Sequence, residues 1–121
     1  MNITINATKY QLDSKTESMV REKLAPVARL LGRDSDMAIL MIEVEEAPPE
    51  GRSSEPFRLV ARLTVKNGEV YHAEAVKPTP ESAADRVRSE LEAEIRRARG
   101  RSRRLFERGS SAIKRMLRFG N

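Results

Sequence analysis

Apolar and polar residues alternate from the first positions of the chain. Ile3, Ile5 and Ala7 interleave with Asn2, Thr4, Asn6 and Thr8, the period-two pattern of a strand buried on one face. The period then changes. Asp13 or Ser14 offers a helix N-cap, and Ser14 with Glu17 has the capping-box spacing. Val20, Leu24, Val27 and Leu31 recur at helical intervals, which predicts a helix from about Ser14 to Leu31. Pro26 lies inside it and has no N–H for the Glu22 carbonyl, so a kink or local break is expected there. Gly32 is a natural stop.

A second strand is predicted over Met37 to Glu45. Its first half (Met37, Ala38, Ile39, Leu40, Met41, Ile42) is apolar on both faces, as in an interior strand. Ala47 to Pro56 reads as a loop. Phe57, Leu59, Ala61, Leu63 and Val65 then alternate with Arg58, Arg62 and Thr64 in a third strand. After the Asn67-Gly68 turn signal, Tyr71, Ala73 and Ala75 alternate with His72 and Glu74 in a fourth. A two-residue loop would put Leu63 and Ala61 on one face with His72 and Glu74. A three-residue loop, Lys66-Asn67-Gly68, pairs Val65 with Glu69 and sets Leu63, Ala61 and Leu59 opposite Tyr71, Ala73 and Ala75. The second register keeps one face apolar, so it is the expected one, with Gly68 at positive φ.

Thr79 is a candidate N-cap, with Pro80 at the first helical position. Ala84, Val87, Leu91, Ile95 and Ala98 form the stripe of a long helix that Gly100 is expected to interrupt. Beyond it, Ser110-Ser111 would cap a short amphipathic helix, Ala112 to Phe119. The expected fold is α+β: β-α-β-β-β-α, a four-stranded mixed sheet with two helices on one face. The first two strands are parallel through a right-handed crossover. The expected organisation is an α+β domain over residues 1–100 and a basic tail over residues 101–121.

Charge changes the picture. Residues 1–95 carry 13 Lys/Arg and 17 Asp/Glu, a net −4; residues 96–121 carry 10 Lys/Arg and the single acid Glu107, a net +9. A near-neutral domain with a basic arm suggests a polyanionic partner. Between residues 86 and 104 there are eight arginines and no lysine. Guanidinium forks bind phosphate bidentately and stack on bases. Arg86 and Arg97 are 11 residues apart, as are Arg88 and Arg99, so each pair falls near one line along the helix. Arg96, Arg97, Arg99, Arg101, Arg103 and Arg104 form a run without an acid. These eight arginines are the candidate RNA-binding residues read from the charge pattern. Phe57 and Tyr71 point inward in the expected register, so recognition through the RNA backbone and shape is favoured over base stacking.

Little suggests catalysis or a resident cofactor. The one histidine, His72, has no cysteine to pair with and sits on the solvent face of a strand. Glu43, Glu45 and Glu46 open an acidic, proline-rich loop and read as solvated. Isolated glycines make no phosphate-cradling loop. Neither a catalytic nor a metal site is expected, and no cofactor. The absence of cysteine, of an apolar run of about 20 residues and of a signal-like N-terminus leads to the expectation of a cytoplasmic protein without a membrane partner.

The element order, together with particular residues, resembles the ribosome hibernation-promoting factors, also called ribosome-associated inhibitors. Asn2-Ile3-Thr4 is similar to the family's opening strand. Tyr10-Gln11-Leu12-Asp13 leading to Val20-Arg21-Glu22-Lys23-Leu24 resembles its first helix entry. His72-Ala73-Glu74-Ala75 followed by Glu81-Ser82-Ala83-Ala84-Asp85 resembles its fourth strand and second helix. The resemblance covers Met1 to about Arg101. It implies a fold related to double-stranded-RNA-binding domains. It also implies docking on 16S rRNA of the small ribosomal subunit, between head and body. There the protein would occupy the mRNA path and the tRNA sites, silencing bacterial translation in stress or dormancy. It adds Lys23 to the candidate RNA-binding residues. The length resembles the short-form members, and a monomer is expected when free. Three departures stand out. Thr79-Pro80-Glu81-Ser82 replaces an acidic-aromatic pair, Pro26 falls where a basic residue is common, and Glu90, Glu92 and Glu94 dilute the basic helix. They shift the expected footprint toward Arg96–Arg104. The alternative is an RNA-binding regulatory module that does not dock in the ribosome, or a small interaction protein whose tail pairs with a partner helix.

Overall fold

Asp13, rather than Ser14, starts the first helix. Its carboxylate accepts a hydrogen bond from the Thr16 backbone N–H at 2.7 Å, and hydrogen bonding by the Thr16 side chain and backbone holds the carboxyl below its ordinary pKa. Glu17 is thereby left out of a capping box and pairs instead with Arg21 at 3.0 Å. The computed structural model describes the backbone of residues 1–8, 11–46 and 56–119, and the side chains of those residues up to 100, Asn67 excepted. The acidic loop at residues 47–55 and the family-like Tyr10 lie outside the described residues.

The elements are β1 (Asn2–Thr8), α1 (Ser14–Leu24), α2 (Val27–Leu31), a 3-10 turn (Gly32–Met37), β2 (Ile39–Glu46), β3 (Phe57–Thr64), β4 (Val70–Lys77) and α3 (Pro80–Phe119). The apolar stripe from Val20 to Leu31 is continuous, but the helix is not. Ala25 and Pro26 separate α1 from α2, as the missing N–H of proline requires. Gly32, at φ 57°, ends α2.

The sheet runs β1-β2-β3-β4, with β1 parallel to β2 and the other pairs antiparallel. The β3–β4 register is the one that keeps one face apolar: Leu63 faces Tyr71, Ala61 faces Ala73 and Leu59 faces Ala75. Val65 donates its N–H to the Glu69 carbonyl at 2.8 Å across a 3-10 turn at Lys66–Gly68, and Gly68 takes φ 76°.

The core lies between one sheet face and the helices. Val20 and Leu24 of α1, Val27 and Leu31 of α2, and Ala84, Val87, Leu91 and Ile95 of α3 meet Leu40, Ile42, Val44, Leu59, Ala61 and Leu63 of the sheet. The other sheet face is open. β2 is interior in strand order but not in layer order: Ile39 and Met41 are 46 % and 51 % exposed, and Met37 just before it is 65 % exposed. The double-sided apolar run in β2 therefore does not mean burial on both faces.

α3 also departs from expectation. It starts as expected at Pro80, with Thr79 Oγ1 accepting from the Ser82 N–H at 3.1 Å. It then continues through Gly100 to Phe119 as one 40-residue helix, about 60 Å long, with no separate helix at 112–119. A single glycine inside a helix costs only about 1 kcal/mol, so Gly100 is not a necessary stop.

Candidate nucleic-acid interface

The core stripe of α3 fixes the placement of its charged residues. With Val87, Leu91 and Ile95 turned to the sheet, Asp85, Arg88, Glu92 and Arg99 fall on the flank toward α1 and α2, and Arg86, Glu90 and Arg97 on the opposite, outer flank. The contacts agree. Lys23 of α1 reaches Asp85 at 3.0 Å and Glu81 at 3.4 Å. Its ammonium pKa is raised, chiefly by the hydrogen bond to Asp85.

Farther along the same flank, Arg88 donates to Glu92 at 2.8 Å, and Arg96 approaches the other oxygen of Glu92 at 3.6 Å. Glu92 is the most sheltered acid of this set, its side chain 16 % exposed. On the outer flank, Arg86 pairs with Glu90 at 3.0 Å and Arg97 with Glu94 at 3.7 Å. Arg86–Glu90, Arg88–Glu92 and Arg97–Glu94 each put the arginine and acid three or four residues apart, within ordinary reach along one helix.

Arg99 is held differently. Its guanidinium donates to Asp34 at 2.9 Å, to Glu69 at 3.3 Å and to the Leu31 carbonyl at 3.5 Å, so it joins α3 to the turn after α2 and to the β3–β4 hairpin. Tyr71 adds its hydroxyl to this cluster by donating to Glu69. Burial and that bond push the Tyr71 phenol up to about 12. Burial opposes the charge on Arg99, but the bond to Asp34 and the charge of Glu69 outweigh it, and its pKa is raised. The Arg99 Nε is buried without a hydrogen-bond partner among the described residues.

The structure thus brings Lys23, Arg88, Arg96 and Arg99 to one flank of α3 and sets Arg86 and Arg97 on the other. Each of these six is already paired with a carboxylate. The side chains of Arg101, Arg103 and Arg104 lie outside the described residues. Sequence reasoning treated α2 as core only and gave no weight to the cations at its end. Arg29 of α2 and Arg33 of the following turn are exposed and make no ion pair among the described residues. Their off-stripe positions were the available signal.

With this geometry in place, comparison with known proteins is decisive. Residues 3–103 match the model of the sigma 54 modulation protein / S30EA ribosomal protein family. The chain belongs to that family. The match runs from β1 into the arginine run of α3, so the whole sheet and its helical cover lie within the matched residues. The S30EA fold is seen again in solved structures. The Thermus thermophilus Protein Y N-terminal domain is 20 % identical with a TM-score of 0.59, over 80 % of this chain and 98 % of that one. A ribosomal subunit interface protein from Coxiella burnetii is 14 % identical with a TM-score of 0.59, over 83 % and 99 %. At these identities the likeness is one of fold. No curated protein sequence matches the chain.

Proposed function

We propose that this S30EA-family protein binds the small ribosomal subunit through 16S rRNA, occupies the path of mRNA and tRNA there, and silences bacterial translation in stress or dormancy. The observation that carries the reading is the family match over residues 3–103, which ends in the arginine run of α3. In this reading the protein is a cytoplasmic binding factor and not an enzyme. Residues 1–100 are the docking domain and residues 101–121 add cationic reach.

The ion pairs give the binding a definite chemistry. Arg86, Arg88, Arg96 and Arg97 are oriented by Glu90, Glu92 and Glu94 before RNA arrives. Phosphate must displace those carboxylates, so each such contact is an exchange of one anion for another and gains less than a free arginine would. Arg29, Arg33 and the cations of the run beyond Arg99, namely Arg101, Arg103 and Arg104, then carry the larger share of affinity. Lys23, tied to Glu81 and Asp85, orients α1 against α3 and contacts RNA only by the same exchange.

Sedimentation through sucrose gradients with purified ribosomes tests the reading. Co-migration with small subunits or idle ribosomes is expected, together with loss of initiation complexes in toeprinting as protein is added. Binding to duplex RNA with no ribosome co-migration would replace it with a free RNA-binding module.

A further inference from the structure

The open face of the sheet is unlike the helical side. Glu43, Glu45 and Glu74 stand on it against Arg58 and Arg62, so it offers no cationic track for a polyanion. It also exposes Ile39, Met41, Val70 and Val76. Arg58 bridges Glu74 at 2.6 Å and Glu45 at 3.5 Å, whereas Arg62, beside Met41 and His72 in the register, has no ion pair among the described residues.

The register reveals a symmetry in this face. Outward residues form a four-by-four grid, with neighbours about 4.8 Å apart across strands and about 6.8 Å apart along them. One diagonal of the grid runs Asn2, Met41, Val60, Val76. A two-fold axis laid along that diagonal brings a second sheet face to face with the first. Met41, Val60 and Val76 then meet their own copies. Each charged residue off the diagonal meets an opposite charge or the imidazole: Arg62 meets Glu43, Arg58 meets Glu74, and His72 meets Glu45. No acid meets an acid and no arginine meets an arginine. The two grid spacings differ by about 2 Å, which long side chains span. The strands of the two sheets cross at roughly a right angle, one of the two standard sheet packings.

We infer that the open sheet face is a self-association surface, on which a second copy of this chain docks by two-fold symmetry along the Met41–Val60 diagonal with reciprocal Arg62–Glu43 pairs. The occupant is a second copy because the face is its own electrostatic complement, as a closed two-fold contact requires. Four strands of about eight residues present about 480 Å² per copy, and about 960 Å² in total falls below the roughly 1,200 Å² of stable complexes. The dimer is therefore weak and concentration-dependent, and the chain is a monomer when dilute. The inference does not rest on ribosome binding.

Sedimentation equilibrium of the nuclease-treated full chain, from about 10 µM to about 1 mM, tests it; that range brackets the weak association expected of so small a contact. The weight-average mass is expected to rise toward a dimer. Arg62→Glu and Glu43→Arg should each weaken association by roughly tenfold or more, because like charges then face each other. The double variant R62E/E43R should recover it. These side chains are outside the core, and far-UV circular dichroism checks that each variant is folded. A chain that stays monomeric across the range overturns the inference. So does a dimer indifferent to either single charge reversal, or one that the double variant fails to restore.

Discussion

Arg99 and Asp34, 65 residues apart in sequence, meet at 2.9 Å and fasten α3 to the turn that follows α2. Glu69 and the Leu31 carbonyl share the same guanidinium. Arg99→Ala removes the cation that Asp34 and Glu69 share, whose side chains are 45 % and 36 % exposed. The expected loss is about 1–3 kcal/mol, and a thermal melt should fall by roughly 4–8 °C for each kcal/mol in a domain of this size. Arg99→Lys should recover part of it, since an ammonium keeps the charge but cannot serve all three acceptors together.

The Tyr71 phenol supplies a pH signature. Its pKa in the folded chain is about 12, against an ordinary value of 10.0, because burial and the bond to Glu69 favour the neutral form. A raised folded pKa means that this contribution to stability is fully present below about pH 10 and is lost as pH rises from there to about 12. Phenolate absorbance should show one tyrosine ionising late, and Tyr71→Phe should abolish that late phase. A Tyr71 that titrates near 10 in the folded protein would contradict the buried cluster.

Glu92 holds two arginines on one flank of α3. Under the ribosome-binding proposal, Glu92→Gln frees Arg88 and Arg96 for phosphate. Affinity for ribosomes should rise several-fold, and the slope of log K against log salt should steepen by about 0.9 for each added phosphate contact. Filter binding or gradient sedimentation across a salt series reads both quantities. An unchanged affinity and slope would mean that this flank does not face RNA.

Truncation after Arg101 separates the domain from the basic extension. Every buried residue of the described core lies at or before Ile95, so the melting temperature should change little. Ribosome binding should weaken and its salt dependence flatten, because six of the chain's basic residues, Arg103 among them, lie beyond Arg101. The same pair of measurements tests whether residues 102–121 belong to the binding site at all.

Much of this architecture was legible in the sequence because burial imposes its period on one face of every element. The stripes from Val20 to Leu31 and from Ala84 to Ile95, and the alternation from Leu59 to Val65, are all core in the structure. The break at Pro26 and the hairpin register also followed, one from a missing N–H and the other from the requirement that Leu59, Ala61 and Leu63 share a face with Tyr71. Apolar patterning was misleading where no second layer exists: Ile39 and Met41 look interior by composition and lie on the open face. The α3 arginines were legible as residues but not as pairs. Arg88–Glu92 follows from helical spacing, whereas Arg99–Asp34 depends on how α3 crosses the end of α2, which no local pattern encodes. Gly100 has the look of punctuation in the sequence, but the helix passes through it.

The turn at Lys66–Gly68 makes the hairpin a matter of parity. It holds three residues between Val65 and Glu69, and that odd number is what leaves Leu63 and Tyr71 on the same side. Removing or adding one residue there, with β3 unchanged, would move His72 and Glu74 of β4 to the helical side and Tyr71, Ala73 and Ala75 to the outside. Removing or adding two would keep the faces and alter only the length of the turn. Length variation at this turn should therefore be tolerated in steps of two, and a single-residue indel should be as damaging as a set of core substitutions although it touches no buried side chain.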